Sequence, residues 1–119
     1  MTTQQIANRL AELCKQNDFV TAQQELYADD IISIEQVESE FYAKETNGKD
    51  AVLEKIKKFN STIEAFYGTK VSELLVTGNA IAFILTMDVE MKGEGRTTMS
   101  ELCVYETKDG KVISERFFM

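Results

Sequence analysis

Hydrophobic spacing changes once along this chain, from helical in the first half to alternating in the second. That change confines the fold to helices set against a sheet. Thr2-x-x-Gln5 is a capping-box pattern, and Ile6, Leu10, Leu13 and Cys14 follow it at helical spacing. Asn17-Asp18 breaks the run. Asp18 can cap a second, short helix carrying Phe19, Ala22, Leu26 and Tyr27, which Asp29-Asp30 ends. Ile31-Ile32-Ser33-Ile34-Glu35 is β-branched and reads as a strand. Residues 36–47 are polar around Phe41-Tyr42 and read as a loop closing on the Asn47-Gly48 turn signal. A third helix from about Asp50 to Ser61 puts Val52, Ile56 and Phe59, with Ile63 beyond it, on one face.

From Ala65 onward the segments 66–76, 80–91, 97–107 and 111–119 read as strands. Thr77-Gly78-Asn79, Gly93-Glu94-Gly95 and Lys108-Asp109-Gly110 turn each into the next. Proline is absent, so Gly, Asn and Asp make every turn. Helices first and a meander after is the α+β pattern. The expectation is one domain over 1–119, with three N-terminal helices packed on a curved antiparallel sheet. A sheet curled around helices encloses a cone-shaped cavity, and such cavities are the usual place for a ligand.

Composition removes several functions. The net charge is −7, which disfavours nucleic acid and anionic membranes as partners. Lys55-Ile56-Lys57-Lys58 is a short basic stretch interleaved with Glu54 and reads as a solvated helix face. The chain has no histidine, which excludes Ser-His-Asp and Cys-His catalysis and His-containing zinc sites. No metal and no cofactor is expected, since there is also no Gly-rich phosphate loop. Cys14 and Cys103 form no C-x-x-C and read as reduced, buried thiols. Met1-Thr2-Thr3-Gln4-Gln5 lacks the basic start and apolar run of a secretory signal, so a cytoplasmic location is expected.

Registering the meander through its turns exposes a carboxylate pair. Closing a loop at 108–110 pairs Thr107 with Lys111, hence Cys103 with Glu115. Closing a loop at 93–95 pairs Lys92 with Arg96, hence Met87 with Glu101. One face then reads Phe83-Tyr105-Ile113, Leu85-Cys103-Glu115, Met87-Glu101-Phe117 and Val89-Met99-Met119. Glu101 and Glu115 become diagonal neighbours about 7 Å apart at Cβ, with no Lys or Arg beside them. Two carboxylates sharing an apolar face cannot both ionise cheaply, so at least one pKa should rise. The same face supplies a ligand wall of Phe83, Met87, Met99, Cys103, Tyr105 and Phe117. Tyr27 and Tyr42 are expected near the mouth, where either hydroxyl could reach a Glu. Cys103 beside a carboxylate is a poor nucleophile and reads as packing. The opposite face carries Ile84, Leu102, Val104 and Phe118 and is too apolar to stand in water. A homodimer through that face covers it.

Several phrases carry a family likeness. They are Leu26-Tyr27-Ala28-Asp29-Asp30, Gly48 with Ala51 and Ile56, Gly78-Asn79, and above all Tyr105-x-x-x-Asp109-Gly110-Lys111-Val112 followed by Glu115-x-Phe117-Phe118. Together they resemble the SnoaL-like branch of the NTF2-like superfamily, over nearly the whole chain. The resemblance implies the cone fold, also termed cystatin-like, and a dimer. It further implies relatives such as polyketide cyclases and ketosteroid isomerases, which work by a carboxylate, some with a tyrosine donor. Glu115 near the start of the last strand offers the carboxylate, with Glu101 or a tyrosine as proton partner. The expected function is therefore a small-ligand pocket, with cofactor-free isomerisation or cyclisation of a small apolar carbonyl compound if it is catalytic. A non-enzymatic binding module and a dimeric interaction protein with a filled core are the alternatives.

Overall fold

The computed structural model describes residues 1–119. Its elements run α1 (Thr3–Lys15), α2 (Phe19–Leu26), β1 (Tyr27–Ile34), β2 (Glu45–Asn47), α3 (Lys49–Ser61), β3 (Ile63–Val71), β4 (Leu75–Thr77), β5 (Ala80–Met91), β6 (Gly95–Lys108) and β7 (Lys111–Phe118). The fold is α+β, with three helices on one face of an open seven-stranded sheet of order β2-β1-β7-β6-β5-β3, and β4 also on β5.

Helix α1 begins where its sequence says it should. The Thr2 hydroxyl accepts from the Gln5 N–H at 3.1 Å, and Gln5 Oε1 accepts from the Thr2 N–H at 2.9 Å. Two otherwise orphaned donors are satisfied reciprocally. Ile6, Leu10, Leu13 and Cys14 are all buried, at roughly 1.5–3 kcal/mol for each large aliphatic. Asn17 ends the turn at φ 60, a left-handed position that asparagine tolerates well. Asp18 Oδ1 then accepts from the Thr21 N–H at 3.3 Å and starts α2.

Helix α2 stops one residue earlier than the sequence suggests. Tyr27 is already extended, at φ −85 and ψ 141, and opens β1. Asp29 and Asp30 are exposed residues inside that strand rather than a helix stop. β1 runs parallel to β7 and antiparallel to β2, so the expected antiparallel sheet is mixed. The expected strand 66–76 is two strands, β3 and β4, both antiparallel to β5. Gly48, at φ 91, caps α3 and donates its N–H to Ile31 O at 2.8 Å, tying the helix start to β1.

The meander closes differently from its expected register, and the differences cancel in pairs. The β6–β7 hairpin has a two-residue turn, Asp109-Gly110, both at positive φ, between Lys108 and Lys111. That is the Asp-Gly hairpin turn, shorter by one residue than a 108–110 loop. A bulge follows, because Thr107 pairs Val112 while Glu106 pairs Ser114. Each slip alone would turn the side chains to the other face. Together they make a shift of two and restore it. Tyr105 therefore faces Glu115, and Cys103 faces Phe117. The bulge puts Val112 inside in place of Ile113. Between β5 and β6 the turn lies at residues 92–94, Met91 pairs Gly95, and Leu85 faces Glu101. Ile81, Phe83, Leu85, Met87, Val89, Cys103, Tyr105 and Val112 form the sheet side of the core beneath the helices.

Candidate functional site

Between the helices and the inner sheet face lies a cavity of about 300 Å³. Of the 22 residues lining it, 16 are hydrophobic. The six others are Gln23, Glu35, Ser39, Lys55, Glu101 and Glu115. Helices α1, α2 and α3 contribute Leu10, Cys14, Phe19, Ala22, Val52, Ile56 and Phe59. The sheet contributes Leu85, Met87, Met99, Tyr105 and Phe117. The loop after β1 adds Val37, Ser39 and Tyr42.

Glu115 is the anchored carboxylate. It is 2% exposed. Tyr27 Oη donates to its Oε1, and Ser33 Oγ donates to its Oε2 at 2.5 Å. Lys55 Nζ donates to Ser33 Oγ at 2.9 Å and to Glu35 Oε2 at 2.7 Å. Both oxygens of Glu115 thus accept, and the lysine charge reaches it through one hydroxyl. Burial pushes its carboxyl up from the ordinary range, while Ser33, Tyr27 and Lys55 pull against that rise. Lys55 also lies over the rings of Phe117 at 5.6 Å and Tyr42 at 6.0 Å, an arrangement that favours a cation.

Glu101 is the opposite case. Its only hydrogen-bond donor is the weak one of Cys103 Sγ, at 3.9 Å. Desolvation, followed by the charges of Glu35 and Glu115, raises its carboxyl to about 7, with Lys55 opposing. Glu115 faces Tyr105 and Glu101 faces Leu85, so the backbones of the two glutamates are offset by four residues along the sheet. That is about 13 Å of extended strand, against the diagonal contact expected from the sequence. Burial leads the rise, and the charges of Glu35 and then Glu115 add to it.

The other expected site residues divide cleanly. Tyr27, Tyr42, Met87, Met99, Tyr105 and Phe117 line the cavity with both glutamates. Phe83 and Cys103 do not. Phe83 stacks on Tyr105 at 5.6 Å between ring centroids, in the core behind the lining. Cys103 is fully buried, and burial together with Glu101 raises its thiol further. Tyr27 is corrected in place: it is buried at the cavity's inner wall, not at the mouth. Tyr42 is half-buried on the loop after β1. No group of three or more Cys, Asp or Glu side chains converges as a metal-ligand set. No helix is long and apolar enough to cross a membrane.

The whole chain, residues 1–119, matches the SnoaL-like domain. It belongs to the SnoaL-like family. The structure is similar to that of a candidate SnoaL-like polyketide cyclase, also designated a carbohydrate phosphatase, from Mesorhizobium loti. The two share 35% identity over 100% of both chains, with a TM-score of 0.90. It is also similar to an NTF2-like protein of unknown function from Burkholderia pseudomallei, with 15% identity, 100% and 92% of the chains covered and a TM-score of 0.80. A Mycobacterium tuberculosis protein in complex with estradiol-17β-hemisuccinate is 18% identical, with 100% and 95% covered and a TM-score of 0.77. These last two establish the fold alone. No curated protein matches the sequence.

Four polar groups of this SnoaL-like site escaped the sequence reading, though their spacing carried the signal. Lys55, in a basic stretch that reads as a solvated face, lies three residues after Val52 and four before Phe59, on the apolar side of α3. Its side chain is only 15% exposed. Ser33 and Glu35 alternate with buried Ile31 and so point inward from the β1 segment. Gln23 lies four after Phe19 and three before Leu26, on the buried face of α2. Its Oε1 is buried without a hydrogen-bond partner, an arrangement that costs about 1–3 kcal/mol.

Proposed function

We propose that this SnoaL-like protein binds a small, mostly apolar carbonyl compound and moves a proton on it with Glu101, without a cofactor. The observation that carries this reading is a cavity-facing carboxyl, raised to about 7, that has no strong partner in the protein. A group poised near neutrality can take a proton from a carbon beside a carbonyl and return it. Held as the acid, it can instead donate to the carbonyl oxygen. Glu115, already engaged by Tyr27 and Ser33, serves as the fixed polar floor, so the base and its partner exchange the roles expected from sequence. Isomerisation and aldol-type cyclisation both begin with this step. The Mesorhizobium relative's designation as a candidate polyketide cyclase fits it, as does estradiol-17β-hemisuccinate in the Mycobacterium neighbour. An open cavity with both glutamates in its wall counts against an interaction protein with a filled core. The buried, unpaired Cys14 and Cys103 suit the reducing cytoplasm.

The test needs no known substrate. In D₂O at neutral pH, the protein should speed deuterium uptake at the α-carbon of 2-tetralone, a small bicyclic ketone, as followed by NMR. Glu101→Gln should slow the catalysed exchange by about 10²-fold or more. Equal exchange by parent and variant would remove the proton-transfer role and leave a binding module.

We also propose a homodimer through the outer sheet face. Ile84 pairs with Leu102, and Leu102 with Phe118, so three large apolar side chains stand in one row across β5, β6 and β7. They are 48%, 40% and 42% exposed. This row is tighter than the expected register made it, with Val104 displaced beside Ala82 and Arg116. Leu102→Glu would place an uncompensated charge at its centre and should convert a dimer to a monomer by light scattering. A monomeric parent at micromolar concentration refutes the interface.

A further inference from the structure

We infer that Gln23 reads a second oxygen function on the ligand, a hydroxyl set apart from the carbonyl by the hydrocarbon body. The inference rests on the pocket reading above and narrows its substrate class to hydroxylated, mostly apolar ketones. Gln23 is 6% exposed, lines the cavity, and has a buried Oε1 that no protein group satisfies. Its neighbours along α2, Phe19, Ala22 and Leu26, are buried and offer that oxygen no donor. Buried amides are ordinarily paired, so one left free on a cavity wall is complementary to something that enters the cavity. A hydroxyl is the matching group, because it accepts from the amide N–H, which no protein group takes up, and donates to the amide oxygen once the amide turns over about its terminal torsion to bring that oxygen to the cavity.

The placement separates the two polar ends of the ligand. Gln23 projects from the helical layer, while Glu101 belongs to the sheet. The remaining lining between these layers is largely apolar, including Phe19, Phe59, Leu85 and Met87. A ligand spanning the cavity would therefore meet a proton-transfer group at the sheet and a hydrogen-bonding amide at the helices, with its apolar body between them. Such a ligand would be held in one orientation, since reversing it would face the hydroxyl to Glu101 and offer the amide a carbonyl, which can accept from its N–H but leaves its oxygen without a donor.

Two probes of one shape test this: 6-hydroxy-2-tetralone and 6-methyl-2-tetralone. Calorimetric titration of the parent should give about tenfold tighter binding of the hydroxyl probe, the size of one satisfied buried hydrogen bond. Gln23→Met keeps the side chain's length and should bind the methyl probe at least as well as the parent while losing the preference. Its melting temperature should equal or exceed the parent's, because an unsatisfied amide is removed. On the parent alone, the Gln23 side-chain NH₂ resonances should shift with the hydroxyl probe and not with the methyl probe. Equal affinity of the two probes for the parent overturns the role of Gln23, as does a preference that survives in Gln23→Met. In either event α-deuterium exchange dependent on Glu101 would still uphold the pocket reading. If neither probe binds and 2-tetralone does not exchange, both fall together.

Discussion

Glu101→Gln should make the protein more stable at neutral pH, while abolishing whatever proton transfer the site performs. The sign follows from the direction of the shift. The Glu101 carboxyl stands at about 7 in the folded chain against an ordinary 4.5. The folded state therefore holds the proton more tightly than the unfolded one. Below pH 4.5 both states are protonated and nothing is lost. As pH climbs from 4.5 toward 7 the unfolded chain gains by ionising first, and the cost to the fold is complete above 7. A shift of this size corresponds to about 3 kcal/mol, and to about 2–3 kcal/mol allowing for solvent near a half-buried side chain. Glutamine never ionises and avoids that cost. Urea denaturation of parent and variant should coincide near pH 4 and diverge by about 2–3 kcal/mol at pH 8, with the variant more stable. A gain in stability bought with a loss of activity marks a functional position rather than a core one. A variant less stable than the parent at pH 8 would show that Glu101 is a structural acceptor.

Glu115→Leu should do the reverse. Removing this carboxylate strands the Tyr27 and Ser33 hydroxyls in the core and cuts Lys55 off from the charge it reaches through Ser33. Taking away one partner of a buried, hydrogen-bonded charge costs about 3–5 kcal/mol, because the groups left behind are unsatisfied. Set against a total stability of roughly 5–15 kcal/mol, that loss brings the domain close to unfolding at ambient temperature. The urea midpoint should fall steeply with an unchanged slope. A Glu115→Leu variant as stable as the parent would mean that the Tyr27–Glu115–Ser33 set does not hold the fold together.

The two glutamates were legible as a pair because side-chain alternation survives an even error in register. The turn at Asp109-Gly110 and the bulge at Thr107 each moved the ladder by one residue and left Glu115 facing inward. What the alternation could not show was distance, since a shift of two moves a residue along the strand without turning it over. That is how Glu101 and Glu115 came to be read as neighbours. Tyr27 and Asp29-Asp30 misled for another reason. A tyrosine one residue beyond the last buried helical residue, Leu26, fits either a helix end or a strand start, and tertiary packing settled it as strand. The parallel β1–β7 pairing is non-local, and no turn signal connects segments so far apart in the chain. Lys55, Ser33 and Gln23 were all visible as polar residues on apolar faces. The chemistry of the site was thus written in the breaks of the hydrophobic pattern.

The central claim is that Glu101 is a carboxyl without a strong partner, held near neutrality by an apolar cavity. Carbon-detected NMR titration of the glutamate side-chain carboxyls in the native protein tests it directly. Glu101, assigned through loss of its resonance in Glu101→Gln, should titrate with a midpoint near 7. A midpoint near 4.3, the value of a freely solvated glutamate, would contradict it.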